Sequence, residues 1–180
     1  EFALTSQKRA KEAIEKGLFK EQITPIEVKS RKSINIFDTD EHPKYDTTIE
    51  TLSNLKTVFK NDGSVTAGNA SGINDGASAL VLANEEQAKK GNPMAKILSY
   101  GFGGVEPDEM GLGPIPASKM ALKKAGLSID DLDLVESNEA FAAQACAVNK
   151  ELGLDEEIVN VNGGAIALGH PVGATGSIIM

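Results

Sequence analysis

The run from Asn160 to Gly176 restricts the fold more than any other part of the sequence. One histidine, His170, stands within it between Gly169 and Pro171, and further glycines lie on both sides. The apolar residues at its start predict a strand over 159–166, and Pro171 favours the first turn of a helix. Glycines allow a tight corner and a close approach of other chain segments. The run therefore predicts a strand-to-helix corner that holds an imidazole at the mouth of a site.

Helical and strand-like patterns alternate through the second half of the chain, which is typical of a layered α/β fold. The run 77–83 is small and apolar throughout, which predicts a strand buried on both faces. The break at residues 91–93 is the candidate domain boundary. The patterns predict helices over 3–16, 49–59 (capped by Thr47 or Thr48), 85–90, 114–125 and 139–152, and strands over 23–28, 34–37, 64–67, 77–83, 95–100, 132–136 and 159–166.

Composition limits the kinds of function. The formal net charge is −8, which argues against general nucleic-acid binding. No run is long and apolar enough to span a bilayer, so no membrane partner is expected. A single cysteine excludes an internal disulfide framework and fits a reducing compartment, for which the cytoplasm is the natural prediction.

Two polar residues at predicted strand ends are the main candidates for chemistry. His170 can act as an acid or base, or can be a core histidine satisfied by one backbone bond. Asn138 can hold a water or a carbonyl oxygen, or can cap the helix that follows it. Two strand ends of one sheet can bring these residues together. The other histidine, His42, lies in a polar loop and is expected to be inert.

Other residues have a structural reading beside a functional one. Glu139 is read as a favourable first-turn helix residue more than as a second acid or base. Ser71 and Asn74 lie in a loop of small residues and could bond a ligand that carries amides. A set of apolar residues could wall a tunnel, although each is more often plain core: Phe59, Phe102, Met110 and Phe141.

Cys146 lies mid-helix between two alanines, with no cation beside it, and is expected to be a small buried hydrophobe and not a nucleophile. The two histidines and the one cysteine are too scattered to predict a metal site. No glycine run has the spacing of a phosphate-binding or dinucleotide-binding loop.

Four segments resemble the thiolase family, in the family's order and over essentially the whole chain. Thr66–Ala77 is similar to the substrate loop of biosynthetic thiolases, and Gly111–Ala117 is similar to the segment that enters the second core domain. Asn138–Ala142 contains the N-E-A-F motif, and Asn160–Gly176 resembles the histidine motif. The form of the first segment resembles the acetoacetyl-CoA type more than the long-chain degradative type.

The resemblance implies a layered α/β/α/β/α fold, represented here in part. Residues 1–70 would be the CoA-binding loop domain, 71–92 the end of the first core half, and 93–180 the start of the second half. The implied partners are acetyl-CoA, acetoacetyl-CoA, CoA and further copies of the chain in a dimer or tetramer. The CoA thioester is the substrate, so no cofactor is expected.

The implied reaction is the Claisen condensation of two acetyl-CoA to acetoacetyl-CoA and CoA, or its thiolytic reverse. By resemblance, His170 takes the proton of a nucleophilic cysteine and then helps to bind the thioester oxygen, Asn138 holds a water at the same oxyanion site, and Ser71 bonds the pantetheine amide. The residues that would line the acyl and pantetheine tunnel are Phe59, Met110, Ala140 and Phe141.

The family also needs a nucleophilic cysteine and a second, acid–base cysteine, and Cys146 matches neither context. The chain is therefore expected to be an internal piece of a longer enzyme and inactive alone. Three alternatives stay open: a CoA-binding module without chemistry, an oligomerisation scaffold, and a hydrolase that pairs Ser71 or Ser137 with His170. The hydrolase ranks low because no G-x-S-x-G elbow occurs.

Overall fold

A computed structural model describes residues 1–180 as seven α-helices, two 3₁₀ helices and one two-stranded sheet. The helices are α1 (Phe2–Glu15), α2 (Ile49–Ser53), α3 (Glu85–Ala88), α4 (Pro114–Ala125), α5 (Ala142–Leu152), α6 (Ala165–Leu168) and α7 (Thr175–Ile178), the strands are β1 (Ile26–Lys29) and β2 (Ile34–Phe37), and the 3₁₀ helices are Pro107–Leu112 and Ile129–Asp131.

Helix α1 confirms the helix predicted over 3–16 and lies at the centre of the packing. Its small residues Ala3, Ala10 and Ala13 are buried on one side. The helix ends before Gly17, whose φ of 72° is open to glycine at little cost. Ala10 is 0% exposed because α1 packs against the segment around α6. A stripe of alanines lets the two backbones approach closely.

Strands β1 and β2 form an antiparallel hairpin in which Ile26 pairs with Phe37 and Lys29 with Ile34. The turn is closed by the Ser30 N–H, which donates to the Ser33 carbonyl at 2.8 Å. All eight strand residues are exposed. The hairpin confirms the pair of strands predicted from the sequence, with β1 shifted toward the turn.

The ends of the other helices follow local chemistry. Thr48 caps α2 in a capping box with Thr51, but α2 ends at Ser53 and does not continue to Phe59 as predicted. Beyond α2 the chain turns back on itself through a bridge between Thr57 and Thr66. Helix α4 matches its predicted bounds, and both α4 and α5 end at a left-handed glycine, Gly126 and Gly153.

Most of the strands predicted for a central sheet are not formed. Residues 77–83 and 95–100 have no ladder partner, and Val81 is 98% exposed, so the prediction of a strand buried on both faces is wrong for this structure. Val135 and Val159 are joined only by one parallel bridge, with two backbone bonds of 2.9 Å. A strand needs a neighbour to satisfy its backbone groups, and the chain provides none here.

The buried core is small and lies where α1, α5 and α6 meet. Ala3, Ala142 and Ile166 form its centre, with Phe2 and Leu52 packed against it. Only 21 of 180 residues are buried. No helix is both long and apolar enough to pass through a bilayer. The core therefore serves mainly to dock α1 onto the segments that carry Asn138 and His170.

Candidate active site

The histidine corner is a helix–turn–helix and not a strand followed by a helix. Residues 165–168 form α6, Gly169 leaves it with a φ of 92°, and α7 begins at Thr175. The His170 backbone N–H donates to Asn74 Oδ1 at 3.0 Å, beside a parallel bridge between Ile73 and His170. The loop at residues 73–74 thus holds the backbone of His170 through two neighbouring contacts.

The His170 ring is held at both nitrogens. Nε2 lies 3.4 Å from Asn138 Nδ2, and Nδ1 lies 2.7 Å from Thr175 Oγ1. The Thr175 hydroxyl donates to the Pro171 carbonyl at 3.1 Å, so its oxygen is free to accept from Nδ1–H. In the tautomer with the proton on Nδ1, Nε2 carries the lone pair and can accept from the Asn138 amide. This arrangement presents an unprotonated imidazole nitrogen beside a carboxamide.

Asn138 does not cap the following helix. Helix α5 begins at Ala142 and Phe141 precedes it, so the capping alternative is wrong. The Asn138 Oδ1 atom is buried and has no hydrogen-bond partner. A buried carbonyl oxygen without a partner costs free energy unless a water or ligand supplies a donor. The two segments therefore bring Asn138 and His170 together and leave one acceptor unused beside them.

Glu139 is a buried anchor and not the first-turn residue that the sequence favoured. Its side chain is 1% exposed and accepts three hydrogen bonds, from Ser6 Oγ at 2.7 Å, Asn160 Nδ2 at 3.0 Å and Ile166 N at 3.2 Å. The Ser6 hydroxyl also accepts from Gly164 N at 3.0 Å. Glu139 therefore joins α1, the end of the 135–138 segment and the start of α6.

Asn160 supports the same strand end from the other side. Its Oδ1 accepts from Ser137 N at 2.7 Å, and its Nδ2 donates to the Ser137 carbonyl at 2.8 Å. Its φ is 48°, which makes it the one non-glycine residue in the left-handed region. Sequence reasoning did not single out Asn160. Asparagine tolerates this region well, and its place three residues before a glycine pair was the available signal.

The small-residue loop, which carries Ser71 and Asn74, is hydrogen-bonded to the segment before α5. Ser71 N donates to the Ala140 carbonyl at 3.0 Å, Ala142 N donates to the Asn69 carbonyl at 2.8 Å, and Ala70 bridges Phe141. The Ser71 hydroxyl makes no hydrogen bond within the chain. The structure thus places Ser71 and Ala140 beside each other and leaves the serine hydroxyl free.

The predicted apolar wall is only partly assembled. Phe59 and Phe141 meet edge to face, with ring centroids 6.2 Å apart, while Phe59 stays 71% exposed. Met110 is exposed on the 3₁₀ helix that packs against α5, and Phe102 pairs with Tyr100 away from this group. The phenylalanine pair and Ala140 therefore border the loop of Ser71, whereas Met110 lies exposed on a separate element.

A cavity of about 370 Å³ lies between α1 and α2. Its wall includes Phe2, Leu52, Leu55, Asn69 and Ala142. None of the candidate site residues lines it. The cavity therefore lies apart from the candidate site residues around His170.

Cys146 is exposed on α5 and is not the buried hydrophobe expected from the sequence. Partial desolvation and, secondly, the negative charge of Glu156 raise the pKa of its thiol. A thiol with a raised pKa is a poor nucleophile at neutral pH. In addition, no group of three or more histidine, cysteine or acidic side chains is arranged to hold a metal ion.

Comparison with known proteins finds one family over nearly the whole chain. Residues 1–86 match the family model "Thiolase, N-terminal domain", and residues 91–180 match "Thiolase, C-terminal domain". The chain is 54% identical to the beta-ketothiolase BktB of Cupriavidus necator and 55% identical to an acetyl-CoA acetyltransferase of Escherichia coli, over 99% and 100% of its length. It spans 46% of the length of each of these relatives.

Solved structures with similar names are also similar to this chain in fold. A Bacillus anthracis acetyl-CoA acetyltransferase superposes with a TM-score of 0.96 at 54% identity, covering 98% of this chain and 45% of that one. Human mitochondrial 3-ketoacyl-CoA thiolase in complex with CoA gives a TM-score of 0.87 at 49% identity, covering 99% of this chain and 45% of that one. These superpositions define the class: part of the mixed α/β fold of the acyltransferases called thiolases. The chain belongs to the thiolase family.

Proposed function

We propose that the chain supplies the histidine–asparagine part of the active site of an acetyl-CoA acetyltransferase. The whole enzyme would condense two acetyl-CoA to acetoacetyl-CoA and CoA, or run the reverse thiolysis. The observation that carries the proposal is the pair of His170 Nε2 and Asn138 Nδ2 at 3.4 Å, beside the unpartnered Asn138 Oδ1. The identity of about 54% to acetyl-CoA acetyltransferases supports the substrate class.

His170 has the geometry for a general base. With Nδ1–H donating to Thr175, the Nε2 lone pair can accept the proton of a cysteine thiol while the sulfur attacks a thioester carbonyl, and CoA leaves as its thiol with a proton from the second, acid–base cysteine. In the second step, the thiolate of that acid–base cysteine takes an α-proton from another acetyl-CoA, and the resulting carbanion attacks the acyl-cysteine and releases the nucleophilic cysteine. A positioned base of this kind contributes about 10²–10⁴-fold in rate.

Asn138 has the geometry to complete an oxyanion site. Its free Oδ1 can accept from a water, and that water and the protonated His170 Nε2 can both donate to the thioester oxygen as it gains charge. Removal of one such donor from an enzyme costs about 10²–10³-fold in kcat. The orphaned acceptor gives the site a place for that water before the substrate arrives.

The residues near the small-residue loop are proposed to bind CoA. The free hydroxyl of Ser71 can bond an amide of the pantetheine arm, and the edge-to-face pair of Phe59 and Phe141 offers apolar surface to its chain. Ala140 leaves room between them. Met110 is the least supported member of the set because its side chain is exposed on a separate 3₁₀ helix. A human relative was solved with CoA bound, which supports the ligand class.

Neither cysteine that the reaction needs is supplied by Cys146, whose pKa is raised. The proposal takes both from elsewhere in a whole enzyme, so the 180-residue chain alone is proposed to be inactive. The single cysteine also keeps a second candidate function open, a CoA-binding or structural segment without chemistry.

Several features of the whole enzyme belong to the same proposal. The chain would divide into a loop domain at 1–70, the end of one core half at 71–92 and the start of the other at 93–180. The enzyme would be a cytoplasmic dimer or tetramer and would use the CoA thioester as substrate with no resident cofactor. The many exposed apolar side chains support association with further chain.

The proposal is tested by grafting residues 1–180 into the E. coli relative in place of its matching segment. We expect thiolysis of acetoacetyl-CoA, a loss of about 10²–10⁴-fold in kcat for His170→Asn in the graft, and an unchanged rate for Cys146→Ser. The ungrafted chain should show no turnover. Full activity of the His170→Asn graft would contradict the assigned role.

Calorimetry with CoA separates the two candidates. Binding by the isolated chain that weakens on Ser71→Ala would support the proposed CoA contacts. If the graft is inactive while the chain still binds CoA, the binding-segment alternative is favoured.

A further inference from the structure

A second histidine is connected to His170 through one asparagine side chain. Asn74 Oδ1 accepts from the His170 backbone N–H at 3.0 Å, and Asn74 Nδ2 lies 3.3 Å from His42 Nδ1. His42 was expected to be inert, and the proposed chemistry uses neither His42 nor Asn74. The loop that carries Asn74 also bridges the corner directly, since Ile73 pairs with His170.

Two glycines make room for this connection. A Cβ on Gly169 would lie 2.6 Å from Asn74 Oδ1, at a residue whose φ is already 92°. A Cβ on Gly72 would come too close to the His42 ring, at 2.4 Å from Cε1. Glycine at both positions therefore leaves room for the side chains of Asn74 and His42. This room indicates that the contact between the two side chains is a specific feature of the fold.

The hydrogen-bond roles in this group are fixed by one atom that can only donate. The His170 backbone N–H needs an acceptor, so the Asn74 atom facing it must be the oxygen. The amide nitrogen of Asn74 then faces His42, and because that nitrogen only donates, His42 Nδ1 must carry a lone pair. The proton of the neutral His42 ring therefore lies on Nε2.

We infer that Asn74 is a positioning residue for His170 and that His42 supports it by accepting from its amide group. If the amide turned over, its NH₂ group would face the His170 N–H, and the corner would lose its acceptor at a part-buried site. His42 supports the observed orientation, because its Nδ1 lone pair accepts from the NH₂ group when the oxygen faces the His170 N–H. The distance of 3.4 Å from His170 Nε2 to Asn138 depends on a corner held in this way.

The inference rests on the proposed function only for its meaning in catalysis, since the hydrogen bonds exist without substrate. A position error of about 1 Å at a catalytic group can cost on the order of 10²-fold in rate. A device that fixes the backbone of His170 from a separate loop therefore has a use in an enzyme. His42 and Asn74 act through His170 and touch no reacting atom.

The test is nuclear magnetic resonance of the ¹⁵N-labelled chain, which has only two histidines to assign. Long-range ¹H–¹⁵N correlations within the ring report which nitrogen bears the proton. We expect Nε2–H for His42. In Asn74→Asp the carboxylate can only accept, so the His42 Nδ1 signal should shift to that of a protonated nitrogen. Asn61→Asp, the same change at an exposed side chain without hydrogen bonds, should leave the His42 signals unchanged.

A second pair of variants reads the effect at His170. His42→Leu removes the partner of the Asn74 amide, and the His170 backbone amide signal should shift. In His42→Asn the new Oδ1 can stand where the imidazole presented Nδ1, so the His170 signal should return toward that of the original chain. Preserved dispersion of the other amide signals shows that each variant folds.

Three results would overturn the inference: a proton on Nδ1 of His42 in the original chain, an unchanged His42 ring in folded Asn74→Asp, or an unchanged His170 amide in folded His42→Leu. None of these signals needs CoA. A chain with the expected His42 signals and an inactive graft would refute the proposed function alone, and the opposite pair of results would refute this inference alone.

Discussion

At the scale of single residues, Glu139 is the unusual feature of the molecule. Its carboxylate is almost completely buried and no basic side chain lies against it, so three hydrogen-bond donors compensate its charge. Charge-assisted hydrogen bonds of this kind are about twice as strong as neutral ones. Because the donors come from Ser6, Asn160 and Ile166, one side chain ties together segments that are far apart in sequence.

Replacement of Glu139 by glutamine is predicted to destabilise the fold by about 1–3 kcal/mol, because a buried donor loses its acceptor when an oxygen becomes an NH₂ group. The free energy of unfolding in urea at pH 7 measures the effect. The matched control is Glu136→Gln, three residues earlier. Glu136 is exposed but partly desolvated, and this desolvation and then the charge of Glu139 raise its pKa, so its neutralisation should be neutral or slightly stabilising. Equal losses of unfolding free energy in the two variants would contradict the anchoring role of Glu139.

The thiol of Cys146 is predicted to react slowly with iodoacetamide at neutral pH. Only the thiolate reacts, and a pKa raised by desolvation and by Glu156 lowers the thiolate fraction at any pH below it. The rate should therefore keep rising as the pH passes 9.0, the ordinary value for the thiol. Glu156→Gln should speed the reaction at pH 8. A folded chain that reacts as fast as the chain unfolded in urea would contradict the raised pKa.

At the scale of elements, the docking of α1 decides where the corner lies. Gly163 has a φ of 83°, and a Cβ there would lie 2.7 Å from the Ala10 backbone nitrogen and the Ser6 carbonyl oxygen. These neighbours are backbone atoms of a helix and cannot move aside singly. The glycine pair before α6 thus serves close approach of α1, in addition to the turn itself.

Gly163→Ala and Gly153→Ala separate these two effects. Both glycines are left-handed, but the space around Gly153 is open. A left-handed alanine costs about 1–2 kcal/mol, which is the whole effect predicted for Gly153→Ala. Gly163→Ala should cost about 1–3 kcal/mol more, because it also forces α1 away. Urea unfolding of both variants provides the measurement. Similar losses of unfolding free energy in the two variants would mean that α1 can move away from residue 163 without destabilising the fold.

At the scale of the whole molecule, the chain exposes far more surface than a compact monomer. Its accessible surface is 13,244 Å², whereas a compact monomer of 18.9 kDa exposes about 8,300 Å². Exposed apolar side chains contribute to the excess, among them Val81, Leu82 and Phe102. Contiguous apolar surface of this kind usually meets a partner surface.

The isolated chain is therefore predicted to bind the dye ANS and to self-associate at micromolar concentration. Light scattering measures the association and fluorescence measures the dye. Charges placed in the most exposed run, as Val81→Glu with Leu82→Lys, should lower both signals because apolar area is lost without damage to the core. The same charges on polar surface, as Lys20→Glu with Glu21→Lys, should change neither. A monomer that binds no dye would show that this surface is covered in solution.

The sequence predicted well those elements that local chemistry decides. Helix α4 runs from a proline to a left-handed glycine, as the pattern indicated, and Thr48 caps α2 through its own side chain. The histidine corner also depends on glycines that lie close to it in the chain. In each case the groups that interact are a few residues apart, so they can be read from the order of the residues.

The errors share a different cause. The pattern at 77–83 describes a strand, but a strand also needs a neighbour to bond with, and no residue in that run records whether one is present. Glu139 has a sequence context that suits a helix surface. It is buried because Ser6, 133 residues away, comes to meet it.

The order of residues alone therefore determined which groups are available: an imidazole at a glycine-rich corner, a carboxamide at another segment end, and helices with their caps. The tertiary structure decided which of them meet. Asn138 and His170 lie 3.4 Å apart, and Asn74 reaches both histidines, because α1 and the small-residue loop dock onto two segments that are distant along the chain. Contacts between distant residues depend on the packing of the whole chain, and no local pattern records that packing.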